Sequence, residues 1–253
     1  MPLSAIQSVC TLHCELDSPI AAGFSFEKMS SIPIYILPGL DGTDLLLQRF
    51  VELAPSEMSV QVIPLPDDPD DNYDSLVEEV LKVIGGVPCH IIAESFSGPI
   101  GILLARRFPE VVRRLTLVSS FAQSPTPSFA KFVPWKLLFR MPMPNFVANR
   151  YFLGSESALA PMLRKAIGTT SVATLARRIR CVMKVNVSQE LSEIACPIDY
   201  VWPSNDRLVP LWSVRNILKI NPRTFVIPIH GPHLIMQTRP KETWKGILNR
   251  PLD

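Results

Sequence analysis

The chain has 253 residues, suited to one large α/β domain or to a core carrying one insertion. It is 47% hydrophobic, so a sizeable core can be buried, and its net charge of +2 comes without a long block of one sign. That charge balance gives no nucleic-acid footprint, and no run of about 18 apolar residues exists to span a membrane.

Residues 1 to 30 show weak periodicity and read as an irregular first strand, a hairpin or a loose arm. They do not read as a signal peptide: the first cation is Lys28, and His13, Glu15 and Asp17 interrupt any apolar stretch. The five cysteines, at 10, 14, 89, 181 and 196, are odd in number and irregularly spaced. They are expected to be reduced, mostly buried thiols in a cytoplasmic protein, and Cys10-x3-Cys14 lacks a second pair for a metal site.

"IPIYILPGLDGTD" (32–44) predicts a buried strand closed by a Pro-Gly turn. "LLLQRFVELA" (45–54) has helical apolar spacing, with Asp44 as its cap. "SVQVIPLP" (59–66) is a short strand, and "YDSLVEEVLKVIG" (73–85) an amphipathic helix that stops at Gly85-Gly86. "PCHIIAE" (88–94) is a strand, "SGPIGILLARRF" (97–108) a helix, and "RRLTLVSS" (113–120) the next strand. Continuous apolar strands alternating with helices imply a parallel sheet covered on both faces. Residues 121–190 break the pattern. They hold no convincing strand and read as a helical cap insertion within a single domain of residues 1–253. Strand, helix, strand and helix then return at 197–203, 211–220, 223–229 and 242–248.

Ser95 falls on the abrupt turn between the strand at 88–94 and the following helix. Such a turn presents a side chain at the carboxyl edge of an open parallel sheet, where these sheets keep their reaction sites. It needs small neighbours two residues to either side, usually the glycines of G-x-S-x-G. Here those positions hold Ala93 and Ser97, with Gly98 next. Ser97 reads as a spacer and Ser95 as a nucleophile; the competing reading makes Ser95 a helix N-cap.

A serine hydroxyl needs a base. His13 lies in the irregular arm and His90 inside a strand. His233, in "PIHGPHLIMQTRP" (228–240), sits on a Gly-Pro loop after the last strand and is the preferred base, with His230 the alternative. The base needs a carboxylate to fix its tautomer. Asp206, in "YVWPSNDRLVP" (200–210), lies in a loop past a strand end, whereas Asp199 begins that strand and belongs to the opposite edge. The alternative for Asp206 is a pair with Arg207 or a turn cap. The resulting order, Ser95, Asp206, His233, is the one expected of a triad on this topology. Donors for an oxyanion fall to the backbone N–H groups of Phe96 and of Leu40, just after Pro38-Gly39. "PGLDG" reads equally as a tight turn. It is no phosphate cradle, lacking both G-x-x-x-x-G-K-[ST] and G-x-G-x-x-G.

With "PGLDGT" (38–43), "AESFSG" (93–98), "SNDRLVP" (204–210) and "GPHLIMQTRP" (231–240), the chain resembles the α/β-hydrolase superfamily from about residue 31 onward. It looks most like its small bacterial esterase- and thioesterase-like members with a helical cap. The resemblance implies the α/β-hydrolase fold, a mostly parallel twisted sheet flanked by helices, and no metal or organic cofactor. It implies a small-molecule ester or thioester as the partner, cleaved through an acyl-enzyme. The apolar cap residues Phe129, Phe132, Trp135, Leu138, Phe139, Phe146 and Phe152 point to an apolar acyl or alkyl group. An acyltransferase on the same triad, cofactor-free carbon–carbon cleavage, and a non-catalytic ligand-binding protein on this scaffold are the rival expectations.

Overall fold

The computed structural model describes residues 32–68, 70–126 and 132–249. The N-terminal arm, with Cys10, His13 and Cys14, lies outside the described residues, as does Phe129.

Six strands pair into one parallel sheet: β1 (Ile34–Leu37), β2 (Val60–Val62), β3 (Cys89–Glu94), β4 (Val112–Val118), β5 (Ile198–Pro203) and β6 (Phe225–Ile229), in the spatial order β2-β1-β3-β4-β5-β6. From β1 the chain runs outward to β2, then crosses back to β3 on the other side of β1. The connections therefore diverge between β1 and β3. In such sheets the carboxyl ends at this point of divergence are the ordinary ligand position. Leu37 at the end of β1 pairs with Ala93 near the end of β3, so the two ends are level.

The strands alternate between two cores because successive side chains point to opposite faces. Ile91, Ala93, Leu115 and Tyr200 face one core. Ile36, Ile92, Val118 and Val201 face the other, against Phe50, Met236 and Trp244. Each fully buried Leu or Ile side chain contributes about 1.5–3 kcal/mol, which is why these strands read as unbroken apolar runs.

Around the sheet lie α1 (Gln48–Glu52), α2 (Tyr73–Ile84) and α3 (Gly98–Arg107). In α2, the Asn72 side chain accepts from the Asp74 and Ser75 N–H groups, and the Ser75 hydroxyl accepts from the Asn72 N–H. This reciprocal cap fixes the start. Gly85, at φ 63°, ends the helix in the left-handed conformation that glycine adopts freely. The expected helix over 45–54 is shorter, and Asp44 does not cap it with its side chain; it gives its carbonyl to the Leu47 N–H at 2.9 Å. The reason is tertiary. Leu47 packs under the sheet while Leu46 packs into a separate cluster with residues between β4 and β5, and a regular helix from residue 45 would not serve both.

Between β4 and β5 the described residues form helices and turns: α4 (Trp135–Leu138), α5 (Asn145–Val147) running into a π-helical stretch Ala148–Leu153, a 3₁₀ turn Ser157–Leu159, α6 (Ala160–Thr169), α7 (Val172–Lys184) and α8 (Ser188–Ser192). An isolated antiparallel bridge, Gln123 to Asn186, joins the base of this segment. Ala148, Leu153, Ala160, Leu163 and Ala166 build a small core of their own, tied to the body by Leu46 and Leu234. Several of its apolar residues face outward: Phe132 is 79% and Phe146 72% exposed.

The chain closes with α9 (Leu211–Ile220), α10 (Ile235–Thr238) and α11 (Pro240–Leu248). The short α10 was not anticipated in the Gly-Pro loop, and α11 starts two residues before its expected position, with Pro240 at the first helical position where its missing N–H costs nothing. Trp244 stacks on Phe50, ring centroids 4.5 Å apart at 6°, and its indole N–H donates to the Phe50 carbonyl at 2.7 Å. No described helix is long and apolar enough to cross a membrane.

Candidate active site

The site begins with the turn after β3. The strand is buried along its whole length through Glu94, and Ser95 then takes φ 48°, a left-handed conformation that costs a non-glycine residue about 1–3 kcal/mol. A 3₁₀ turn (Ser95–Ser97) leads straight into α3. The helix runs so close to β4 that a Cβ on Gly98 would lie 1.7 Å from the Ser120 hydroxyl oxygen. The glycine required for this close approach is therefore at position 98, three residues beyond Ser95. Ser97 is fully buried, and its hydroxyl donates to the Pro38 carbonyl at the end of β1. It is more than a spacer, since it ties the turn to the neighbouring loop. Ser120 steadies the turn from the other side. Its hydroxyl donates to the Ser95 carbonyl at 2.7 Å, and it is itself held by the Tyr200 hydroxyl, which donates to the Ser120 carbonyl and accepts from its N–H.

Three side chains from distant segments meet here. The Ser95 Oγ lies 2.9 Å from His233 Nε2, and His233 Nδ1 lies 2.8 Å from Asp206 Oδ2. Asp206 comes from the loop after β5 and His233 from the loop after β6. The other Asp206 oxygen accepts the Leu208 and Val209 N–H groups at 2.8 and 3.0 Å. Asp206 thus both caps a turn and holds the imidazole; the two readings of this residue are compatible. The Ser119 hydroxyl, from the end of β4, donates to the His233 carbonyl at 2.7 Å. Phe152, from the segment between β4 and β5, meets the imidazole edge-on at 6.2 Å between centroids.

The alternatives lie elsewhere. His230 is exposed and bonds to Ser204 and Asn205. His90 is buried in β3 beside the Thr116 hydroxyl. Asp199 is buried at the start of β5, where Arg114 donates to it at 2.6 Å.

The loop after β1 faces the Ser95 turn, and its backbone is largely spoken for. Pro38 O receives Ser97, the Gly39 N–H goes to the Glu94 carboxylate, and Gly39 O receives the Gly42 N–H. Leu40 O receives Arg178 and Asp41 O receives Thr170. The Leu40 N–H has no acceptor among the described residues. Phe96, whose N–H follows the serine, is buried with its ring stacked on Tyr73.

This geometry can be set beside known proteins. The profile of the Alpha/beta hydrolase family matches residues 33–245. The chain belongs to the alpha/beta hydrolase family. Pyrrolizixenacetamide deacetylase of Xenorhabdus hominickii is 20% identical over 221 residues, covering 82% of this chain and 76% of that protein. The enol-lactonase of Burkholderia xenovorans LB400 superposes with a TM-score of 0.72 at 16% identity, over 86% of this chain and 90% of that one. A carboxylesterase structure from the thaumarchaeon Nitrososphaera gargenis superposes with a TM-score of 0.72 at 16% identity, over 92% of this chain and 96% of that one.

In this hydrolase the electrostatics around the imidazole have opposing sources. Burial disfavours its charged form, but the Asp206 carboxylate and its hydrogen bond outweigh that, with Glu94 adding to them. The His233 pKa is therefore held above its ordinary value. Glu94 is wholly enclosed; burial pushes its carboxyl up to about 7, against the hydrogen bonds from Gln237 and Gly39 and the pull of His233.

Sequence reasoning missed Glu94, Ser119, Ser120, Thr170, Arg178 and Gln237. Two of them left a trace. "VSS" ends a buried strand with two hydroxyls at the sheet's carboxyl edge. Arg178 shares a helical face with Leu175 and Val182, three residues after the one and four before the other, so one cation of an arginine-rich run falls on the buried side. Among the described residues, no group of three or more His, Cys, Asp or Glu side chains is placed to hold a metal ion.

Proposed function

We propose that the chain is a serine hydrolase that cleaves a carboxylic ester or thioester with an apolar acyl or alkyl group. Ser95 is the nucleophile, His233 the base and then the acid, and Asp206 the carboxylate that orients it. The observation that carries this reading is the unbroken contact from Ser95 Oγ through His233 to Asp206, at 2.9 and 2.8 Å. Each side chain is delivered by the carboxyl end of a different strand.

His233 Nε2 takes the Ser95 proton as Oγ bonds to the substrate carbonyl carbon, and the carbonyl π electrons move onto oxygen. The N–H groups of Leu40 and Phe96 hold that oxyanion; the spare Leu40 N–H is the observation in favour of the first. When the tetrahedral centre collapses, its C–O or C–S bond breaks and His233 protonates the departing alkoxide or thiolate. A water then gives its proton to His233, attacks the acyl-enzyme and releases the acid, and the proton returns to Ser95. Asp206 holds the imidazole with Nε2 toward the serine. No metal or organic cofactor enters this scheme. The helical insertion serves as a cap, and Phe152, edge-on to His233, is its contribution to an apolar acyl site.

The name of the Xenorhabdus relative favours an amide as the second substrate class. The test is a panel of p-nitrophenyl esters of rising chain length, acyl-CoA thioesters and an acetanilide, with wild type and Ser95→Ala. Wild type is expected to hydrolyse at least one ester class, and Ser95→Ala to lose at least about 10⁴-fold in kcat. A fluorophosphonate should label wild type and leave Ser95→Ala unlabelled. Turnover that survives in Ser95→Ala, or folded wild type that neither labels nor hydrolyses, refutes the reading. Product partitioning with added alcohol separates hydrolysis from acyl transfer.

A further inference from the structure

Arg178 is among the largest fully buried side chains of the described residues, and the proposed chemistry does not use it. It stands on α7, inside the insertion. Among the described residues it makes no ion pair within contact distance; Asp71, Asp41 and Asp67 balance its charge from farther off. Its guanidinium is spent on two backbone carbonyls instead: Nη1 donates to Leu40 O at 2.9 Å and Nη2 to Pro66 O at 2.7 Å. Its carbon Cζ lies over the Phe96 ring, 5.7 Å from the centroid. The β1 loop makes room for it: a Cβ on Gly42 would fall 2.3 Å from Nη1, and Gly42 has φ 74°.

Burying an unpaired guanidinium is costly, and simple anchoring of a helix would be served by apolar packing. Arg178 instead reaches Leu40 and Phe96, the two residues whose N–H groups are proposed as the oxyanion donors. Its bond to the Leu40 carbonyl fixes the Leu40–Asp41 peptide, which restrains the adjoining Gly39–Leu40 peptide whose N–H is unspent. Its contact with the Phe96 ring holds the residue whose N–H follows Ser95. Thr170, from the same insertion, grips the next carbonyl, Asp41 O.

The geometry points to Arg178 as the positioning residue of the oxyanion hole, a cation carried by the insertion that sets both backbone donors from behind. This inference rests on the reading of Leu40 and Phe96 as those donors. It makes the insertion a part of the rate-determining apparatus as well as a cover.

The experiment compares wild type, Arg178→Met, Arg178→Lys and Ser95→Ala on the best ester from the panel, each at a temperature well below its own Tm. Read out are kcat, KM, affinity for a trifluoromethyl ketone, which forms an oxyanion on Ser95, and affinity for the product acid. In Arg178→Met, kcat and trifluoromethyl ketone affinity should fall together, by about 10- to 100-fold, while KM and acid affinity stay within about threefold. Arg178→Lys keeps the charge but has a single donor nitrogen that cannot span two carbonyls in a fixed fork, so it should show the same split at reduced size. A folded Arg178→Met with a lower Tm and wild-type kcat overturns the inference, leaving only a staple. If Arg178→Met does not fold, Arg178→Lys decides: unchanged kcat and ketone affinity overturn it. Ser95→Ala separates the two levels. An active Ser95→Ala sinks the serine-hydrolase reading itself, whereas a dead Ser95→Ala beside an unimpaired Arg178→Met sinks only the role of Arg178.

Discussion

Glu94 is the residue whose chemistry is most open to measurement. It precedes Ser95, is buried, and acts on His233 through charge. In the proposed mechanism His233 must be neutral to accept the Ser95 proton, so activity is expected to rise as pH passes its pKa, and a neighbouring anion moves that rise to higher pH. Glu94→Gln removes the anion and should shift the acid limb of kcat/KM toward lower pH; a pH–rate profile of both proteins checks this. The stability effect has its own sign. The Glu94 carboxyl titrates at about 7 in the folded protein against an ordinary value of 4.5. Between those values the folded chain keeps a proton that the unfolded chain has already lost, so stability falls as pH rises through that window. His233, with its raised pKa, adds a fall of the same sign above its ordinary value. Glu94→Gln should flatten the lower part of the slope, read from urea midpoints at pH 5 and pH 8.

At the scale of elements, the turn between β3 and α3 depends on Gly98 being bare. Gly98→Ala drives a methyl into Ser120, which holds the Ser95 carbonyl, and should cost about 1–3 kcal/mol and lower kcat. Ser120→Gly in the same protein should recover part of the stability, because the methyl then has room; thermal melts of the single and double variants decide. The strand–helix alternation was legible because the buried strands are short apolar runs, while helices such as α2 carry a polar face. The meeting of Ser95, Asp206 and His233 was legible for the same reason: each stands just past the carboxyl end of a run that could be recognised. Local signals failed where two cores competed for neighbouring residues. Leu46 and Leu47 serve different clusters, so the helical spacing at 45–54 overstated α1. Gly98 was visible only as a neighbour, since its necessity depends on Ser120, 22 positions away. The ties from Thr170 and Arg178 to the β1 loop span 129 and 138 positions, and nothing local encodes them.

At the scale of the molecule, α1 and α11 are joined by Trp244. Trp244 in α11 stacks on Phe50 in α1 and donates to its carbonyl across 194 positions. Trp244→Phe keeps a ring in place and deletes the donor. It should cost about 1–3 kcal/mol, seen as a Tm lower by several degrees with kcat unchanged, because the contact is on the face of the sheet away from the Ser95 turn.

The grip of Thr170 and Arg178 on consecutive carbonyls of the β1 loop also bears on protein engineering. Grafting a foreign lid onto this scaffold to broaden its diet would discard both fasteners along with the old lining. A library built that way would return sluggish chimeras whatever their preference, unless the donor segment brings a threonine and an arginine to the same two carbonyls.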